Sequence, residues 1–309
     1  MDIVQSIANY DKSHISILTI GTFDGVHIGH RRILDQLINN AKESGLRSTV
    51  LTFFPHPRMV LQQDSGLKLL NTLEEKIAIL EETGLECLVI HPFSKEFSRL
   101  TAEEFVRDHL VEQLQAKKII IGYDHRFGRN RNADINDLIA FGEMLEFEVV
   151  EIPAQEINEV SVSSTKIRSA LAEGDIETAN AYLGYAYMLS GSIQKGKGLG
   201  RQLNFPTANL HIHEHYKLIP KNGAYVVYAH IEGALIYGMM NIGFNPTVEG
   251  KNRSIEIHFF ELEKDLYELP IRVHVLHRLR DEEKFESLEA LQQQLNKDKT
   301  KALAYISGL

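Results

Sequence analysis

The segment Gly21-Thr22-Phe23-Asp24-Gly25-Val26-His27-Ile28-Gly29-His30 sets two imidazoles three residues apart behind a glycine-rich turn. Glycines let backbone N–H groups approach phosphate oxygens, and a helix N-terminus adds partial positive charge. At i and i+3 of a helix start, His27 and His30 fall on one side and can reach the same phosphate. Their work there would be hydrogen bonding to the charge that builds on a phosphoryl group in transfer. A lone glycine-rich turn is more often just a tight turn with surface histidines. Ten ordered positions with paired His favour the phosphate reading.

A second set lies in Val162-Ser163-Ser164-Thr165-Lys166-Ile167-Arg168. Ser164 can cap the helix that follows, with Ile167, Ala170 and Leu171 as its apolar stripe. The hydroxyls of Ser163, Ser164 and Thr165, a helix N-terminus and Arg168 in the first turn suit a β,γ-diphosphate. Without the first set, an ordinary capped helix would explain these residues equally well.

Further along, Lys195-Gly196-Lys197-Gly198-Leu199-Gly200-Arg201 is basic and glycine-rich inside an acidic chain. It is followed by Asn204-Phe205-Pro206-Thr207-Ala208-Asn209-Leu210. In an extended backbone Thr207 and Asn209 point the same way, and a hydroxyl with an amide oxygen suits a hard cation such as Mg²⁺. In Ser254-Ile255-Glu256-Ile257-His258-Phe259-Phe260, a strand would put Glu256 and His258 on one face and the apolar residues on the other. Glu256 can then act as a general base toward an alcohol. A flexible hairpin, a proline turn and a solvent-facing carboxylate are the plainer readings of these three pieces. His211, His213 and His215 alternate as transition-metal ligands in a strand would, but their polar surroundings read as a loop.

These residues need elements to hold them. Up to about residue 184, short apolar runs alternate with helical periods. Strands are expected at 15–20, 49–53, 87–90, 118–121 and 147–152. A helix follows the first strand with Ile33, Leu34, Leu37 and Ile38 on one face, and capping boxes pair Thr72 with Glu75 and Thr101 with Glu104. This alternation predicts a doubly wound parallel α/β sheet. From Tyr185 the texture changes to short β-rich segments at 224–231, 235–242, 254–260 and 271–276, separated by Gly, Asn and Pro. They predict an antiparallel barrel or sandwich. A final helix carries Phe285, Leu288, Leu291 and Leu295 as a packing stripe. The expected domains are therefore 1–184 and 185–309.

The 309 residues suffice for two cores. With 33 Lys+Arg against 42 Asp+Glu, the net charge is −9, which argues against general nucleic-acid or anionic-membrane binding. No apolar stretch approaches the roughly 18 residues that span a bilayer, and residues 1–14 show no export pattern. Cys87 is the single cysteine and falls in an expected strand, so a buried, inert thiol is the expectation. A cytoplasmic location is expected.

The sequence His-Ile-Gly-His is shared by an adenylyl-transferring superfamily that includes class I aminoacyl-tRNA synthetases. Taken together in this order, the motifs resemble the bifunctional bacterial riboflavin kinase/FAD synthetase family across essentially the whole chain. They are residues 21–30, Phe53-Phe54-Pro55-His56-Pro57, 162–168, 204–210, Asn241-Ile242-Gly243-Phe244-Asn245-Pro246-Thr247, and the tail from Leu279-Arg280 through Lys284-Phe285. The resemblance implies a Rossmann-like nucleotidyltransferase domain followed by a β-barrel kinase domain. It implies synthesis of FMN from riboflavin and ATP, then joining of FMN to AMP with loss of pyrophosphate. ATP in the first domain is then expected at Gly21, Thr22, Phe23, Asp24, Gly29, Ser163, Ser164, Thr165 and Arg168, with His27 and His30 catalytic and FMN near Pro55 and Asp124. In the second domain ATP is expected at Gly196, Lys197, Gly198, Arg201, Thr207 and Asn209. There Thr207 and Asn209 hold Mg²⁺, Glu256 is catalytic, and Arg280 touches the flavin. Two positions depart from the family pattern: His125 stands where Phe is usual, and Asn204 where Gly is usual. Asn tolerates left-handed backbone, so the second change is expected to preserve the loop. A tRNA-synthetase-like reading lacks a Lys-Met-Ser-Lys-Ser loop and a basic domain for tRNA. A flavin-binding protein with decayed sites would not be expected to fill every catalytic position with a competent residue.

Overall fold

The computed structural model describes residues 1–62, 66–123, 125–153, 162–196, 200, 203–247, 250–262 and 264–309. Residues 1–163 and 164–309 form two compact units. The first is built on six strands: β1 (Asp2–Gln5), β2 (Ser16–Ile20), β3 (Arg47–Phe53), β4 (Cys87–His91), β5 (Ala116–Gly122) and β6 (Glu148–Ile152). They pair in parallel throughout, in the order β1-β4-β3-β2-β5-β6. All five residues of β2 are buried, the hydroxyl residues Ser16 and Thr19 included, because helices and neighbouring strands cover it, so it shows no in–out alternation. From β2 the chain winds outward through β3 to β4, then returns to add β5 and β6 on the other side. The order reverses between β3 and β5 about β2, and in open α/β sheets ligands bind outside the carboxyl ends of the strands at such a point.

Helix α1 (Ile28–Ser44) buries Leu34, Leu37, Ile38 and Ala41, the spacing that lays one apolar stripe on the sheet, and Gly45 ends it in left-handed backbone at φ 66°. Helix α2 (Leu73–Glu81) starts with the expected capping box: the Glu75 N–H donates to Thr72 Oγ1 at 3.1 Å and the Thr72 N–H to Glu75 Oε2 at 2.9 Å. The Thr101–Glu104 box also forms, but the helix it opens turns after Glu104 into a π-wound stretch, Phe105–Val111. Helix α3 (Ile135–Leu145) precedes β6. Strand β1 was not foreseen; three of its four residues are exposed, so it carries no apolar period. Cys87 is buried as a free thiol, and burial pushes its pKa up to about 11.

The second unit begins with a helix pair, α4 (Ser164–Glu173) and α5 (Ile176–Leu183). Ile167, Ala170 and Leu171 form the buried stripe of α4, and the helix starts at Ser164 itself, which leaves Ser163 at the capping position. Six strands then close a barrel in the order β10-β11-β8-β7-β12-β9: β7 (Tyr187–Gln194), β8 (Ala208–His211), β9 (Gly223–Ile231), β10 (Ala234–Thr247), β11 (Gly250–Phe259) and β12 (Pro270–Asp281). Its pairings are antiparallel. Of the two architectures open to the sequence, the barrel is the one formed. Helix α6 (Leu288–Ile306) buries Ala302 and packs Leu291, Leu295, Tyr305 and Ile306 against a cluster of Leu203, Phe205, Val226, Met239 and Phe260. The expected packing stripe is thus shorter than drawn: Phe285 precedes the helix and Leu288 is exposed.

Asn204 adopts φ 63°, the left-handed conformation that the usual Gly would take. Replacing Asn204 by Gly should therefore leave stability nearly unchanged, whereas Asn204→Val should cost about 1–2 kcal/mol. Urea unfolding of the three proteins measures the difference.

Candidate active sites

In the first unit the 21–30 turn leaves the carboxyl end of β2 and enters α1. Phe23 and Val26 hold positive φ of 45° and 36°, unfavourable for non-glycine residues, around Gly25 at 91°. Burial of both side chains and two polar contacts brace the turn. Asp24, 2% exposed, accepts from the Leu70 N–H at 2.9 Å, and Lys76 Nζ donates to the Thr22 carbonyl at 2.6 Å. Asp24 is thus seen holding the turn together. Lys76 was not foreseen, since a lysine in an amphipathic helix normally reads as its solvated edge. Burial pushes its pKa down to about 8, while Asp24 pulls the other way.

His27 is the N-cap of α1: its Nδ1 accepts from the His30 backbone N–H at 3.3 Å. That contact assigns its proton to Nε2, which leaves an N–H to donate outward. The two imidazoles stack, with centroids 3.7 Å apart and planes 15° from parallel, and Phe23 lies 5.0 Å from His30. Burial pushes His27 down to about 4 and holds His30 well below its ordinary value; the charged forms of His27 and Lys76 push His30 the same way. Two neutral imidazoles, a buried ammonium and a helix N-terminus therefore converge on one turn, which together favour an anion. Gly21 and Thr22 are half-buried in the turn, and Gly29 is buried in the first turn of α1.

Beside this turn, the ends of β3 and β4 carry an aromatic cluster. Phe53 lies 5.6 Å from Phe93 and 5.7 Å from Phe97, and His91 lies 4.4 Å from Phe97. Pro55, exposed and joined to Phe54 by a cis peptide bond, lies two residues after Phe53. His125 lies 6.2 Å from Phe127 with rings 24° from parallel, and Asp124 lies outside the described residues. Such a cluster offers ring faces to a flat heterocycle. The scattered positions 53, 93, 97 and 127 gave no sequence signal that they would meet.

In the second unit three of the expected residues, Thr207, Glu256 and Arg280, line a cavity of about 280 Å³. Thr207 Oγ1 lies 3.4 Å from Glu256 Oε2. Register sets Glu256 opposite Asn209 on one side and Asn241 on the other, so the three polar side chains form a row across β8, β11 and β10. Asn241 belongs to the 241–247 motif but was given no role from sequence. His258 shares the Glu256 face, and its Nδ1 meets the Pro206 carbonyl at 2.9 Å. Gly196 lies where a Cβ would come within 2.2 Å of Asn209 Nδ2, and Gly200 where one would meet the Phe205 carbonyl at 2.3 Å, so any side chain would displace the site. Lys197, Gly198 and Arg201 lie outside the described residues. The cavity is also lined by Phe285, Leu291, Leu295 and Asp298, so α6, expected only to pack, forms one of its walls. In α4, Thr165 is exposed and Arg168 half-buried.

Strand β8 ends at His211, which leaves His213 and His215 outside the alternation; His213 Nε2 instead lies 3.0 Å from Ser192 Oγ. Among the described residues no group of three or more His, Cys, Asp or Glu is arranged to hold a metal.

The sequence matches the family model for FAD synthetase over residues 10–166 and that for riboflavin kinase over residues 183–306. Bifunctional riboflavin kinase/FMN adenylyltransferases are similar over nearly their full length. The one from Listeria monocytogenes is 34% identical, covering 95% of this chain and 93% of that protein. That of Escherichia coli K12 is 34% identical, covering 93% and 91%. The chain belongs to the bifunctional riboflavin kinase/FMN adenylyltransferase family. A solved structure described as a macrolide-efflux protein from Streptococcus pneumoniae is 29% identical, with a TM-score of 0.87 over 97% of both chains. Among the described residues of this family member, no helix is long and apolar enough to cross a membrane.

For a member of this family the neutral histidine pair has a direct consequence. The folded pKa of His27 lies below the usual 6.5, so between pH 6.5 and 4 the unfolded chain takes up the proton first. Stability is therefore full above about pH 6.5 and falls as the pH drops toward 4. NMR should show the His27 ring not titrating between pH 8 and 5, and the thermal midpoint should decline below pH 6.5.

Proposed function

We propose that the chain makes flavin cofactors in two steps: it phosphorylates riboflavin with ATP to give FMN, then transfers AMP from a second ATP to FMN, giving FAD and pyrophosphate. What supports this reading is that two chemically different polar sets belong to separately folded units: neutral histidines at a helix N-terminus in one, a carboxylate beside a hydroxyl at a cavity in the other. We set the division of labour at 1–184 and 185–309, which gives helices α4 and α5, part of the second compact unit, to the adenylylating portion.

In the kinase step the nucleophile is the neutral 5′-hydroxyl of riboflavin, so a base is useful. Glu256 takes its proton as the oxygen attacks the γ-phosphorus of ATP, and ADP leaves. Thr207 Oγ1 beside the Glu256 carboxylate, with Asn209 opposite, forms a set of hard oxygen donors that suits Mg²⁺. Thr207 and Asn209 hold the ion, which when bound offsets the charge of the ATP phosphates. The segment with Gly196, Lys197, Gly198 and Arg201 covers those phosphates, and Arg280 orients the flavin.

In the adenylyl step the FMN phosphate is already ionised, and its oxygen attacks the α-phosphorus of ATP in line as pyrophosphate departs. No base is needed, so positioning and charge stabilisation dominate. His27 and His30 donate N–H groups to the transferring phosphoryl group, and Lys76 adds charge beneath the turn. Gly21, Thr22, Phe23, Asp24 and Gly29 shape the nucleotide site. Ser163, Ser164, Thr165 and Arg168 hold the leaving pyrophosphate, while Pro55, Asp124 and the aromatic cluster receive the isoalloxazine ring. The substrates are small molecules, without nucleic acid or membrane, and the protein works in the cytoplasm where ATP is supplied.

Incubation with riboflavin, ATP and Mg²⁺, followed by chromatography, should show FMN first and FAD later; no new flavin would refute the reading. Glu256→Ala should reduce FMN formation by about 10²-fold or more while leaving conversion of supplied FMN to FAD intact. His30→Ala should do the reverse. Loss of both activities from either folded variant would refute independent sites.

A further inference from the structure

We propose that Asp298 is a positioning residue for flavin binding in the kinase cavity, acting through Arg280. The inference rests on reading the barrel as the riboflavin kinase. Asp298 lies in the middle of α6, 1% exposed, and its carboxylate takes the Arg280 guanidinium side-on: Nε at 2.9 Å and 3.1 Å from its two oxygens, and one terminal nitrogen at 2.8 Å. Gln294, one turn earlier on the helix, donates to Asp298 Oδ1 at 2.8 Å and fixes the carboxylate in turn. The other terminal nitrogen of Arg280 donates to the Asp281 carbonyl at 2.9 Å, and the guanidinium lies 5.7 Å from the centre of the Phe285 ring.

This geometry determines what Arg280 can offer. A guanidinium has five N–H donors; three are engaged by Asp298 and Asp281, which leaves two on its terminal nitrogens. The arginine is thereby turned from a mobile cation into a fixed pair of donors. Because Asp298 cancels its charge, the pair suits uncharged acceptors such as ring carbonyls and ring nitrogens better than a phosphate. Arg280, Phe285 and Asp298 all line the cavity, with Leu291 and Leu295 from the same helix beside them. The chemistry recognised is a flat, uncharged heterocycle rich in acceptors, which riboflavin carries at the end remote from its reacting hydroxyl. A residue that holds only this end should govern binding more than chemistry.

The test is a double-mutant cycle on the full chain, following FMN formation at varied riboflavin. Asp298→Asn keeps the shape and removes the charge that aligns the guanidinium. We expect KM for riboflavin to rise about tenfold with kcat within about threefold, and AMP transfer to supplied FMN to be unchanged. In an Arg280→Ala background, Asp298→Asn should have no further effect on KM. Thermal midpoints measured alongside separate folding from binding. An Asp298→Asn protein with a lowered midpoint but unchanged KM would overturn the proposal, as would equal effects on KM with and without Arg280. Wild-type protein that forms no FMN would overturn the kinase reading itself and this inference with it.

Discussion

Burial of β2 on all sides is the constraint from which the first unit follows. A central parallel strand can exist only where strands flank it and crossovers cover its faces, and here the chain must leave it at the carboxyl end to reach α1. The exit lies at the reversal of strand order, the place where open α/β sheets bind ligands. The turn cannot relax: Phe23 and Val26 hold unfavourable φ values because their side chains are buried and because Asp24 and Lys76 tie the backbone from below. Strain of this kind, held by surrounding structure, fixes the paired imidazoles in one arrangement.

The same economy of charge recurs in both units, by opposite means. In the first, burial keeps His27 and His30 neutral at neutral pH, while Lys76 beneath them, its pKa lowered to about 8, supplies the positive charge. In the barrel, the cationic side chain at the cavity is matched by a buried carboxylate. On the proposed roles, the turn that meets phosphate keeps its field and the pocket that takes an uncharged ring cancels it. The difference matches the two steps of flavin cofactor synthesis.

Legibility in the sequence tracked locality. Capping boxes at Thr72 and Thr101, the stripe of α1 and the strands that bury both faces each depend on residues a few positions apart, and all were found. The short edge strand β1 escaped because exposed residues leave no period, and β7 and β8 because their neighbourhoods are dominated by Gly, Ser and His. Lys76 was hidden by its type, since nothing local distinguishes a buried lysine from a solvated one. The aromatic cluster around Phe53 and Phe97 was hidden by distance along the chain.

By itself the sequence determined the two-part architecture, the glycine-rich turn that leads two histidines into a helix, the face shared by Glu256 and His258 and the left-handed backbone at Asn204, because turn chemistry, period and backbone preference act over a few residues. Only the tertiary structure decided between barrel and sandwich, set Asn209, Glu256 and Asn241 in one row, and brought Asp298 to Arg280 across 18 positions and an intervening loop. Strand closure and helix docking are settled by burial summed over the whole unit. No local segment contains that sum, so the residues it brings together cannot be read from their spacing.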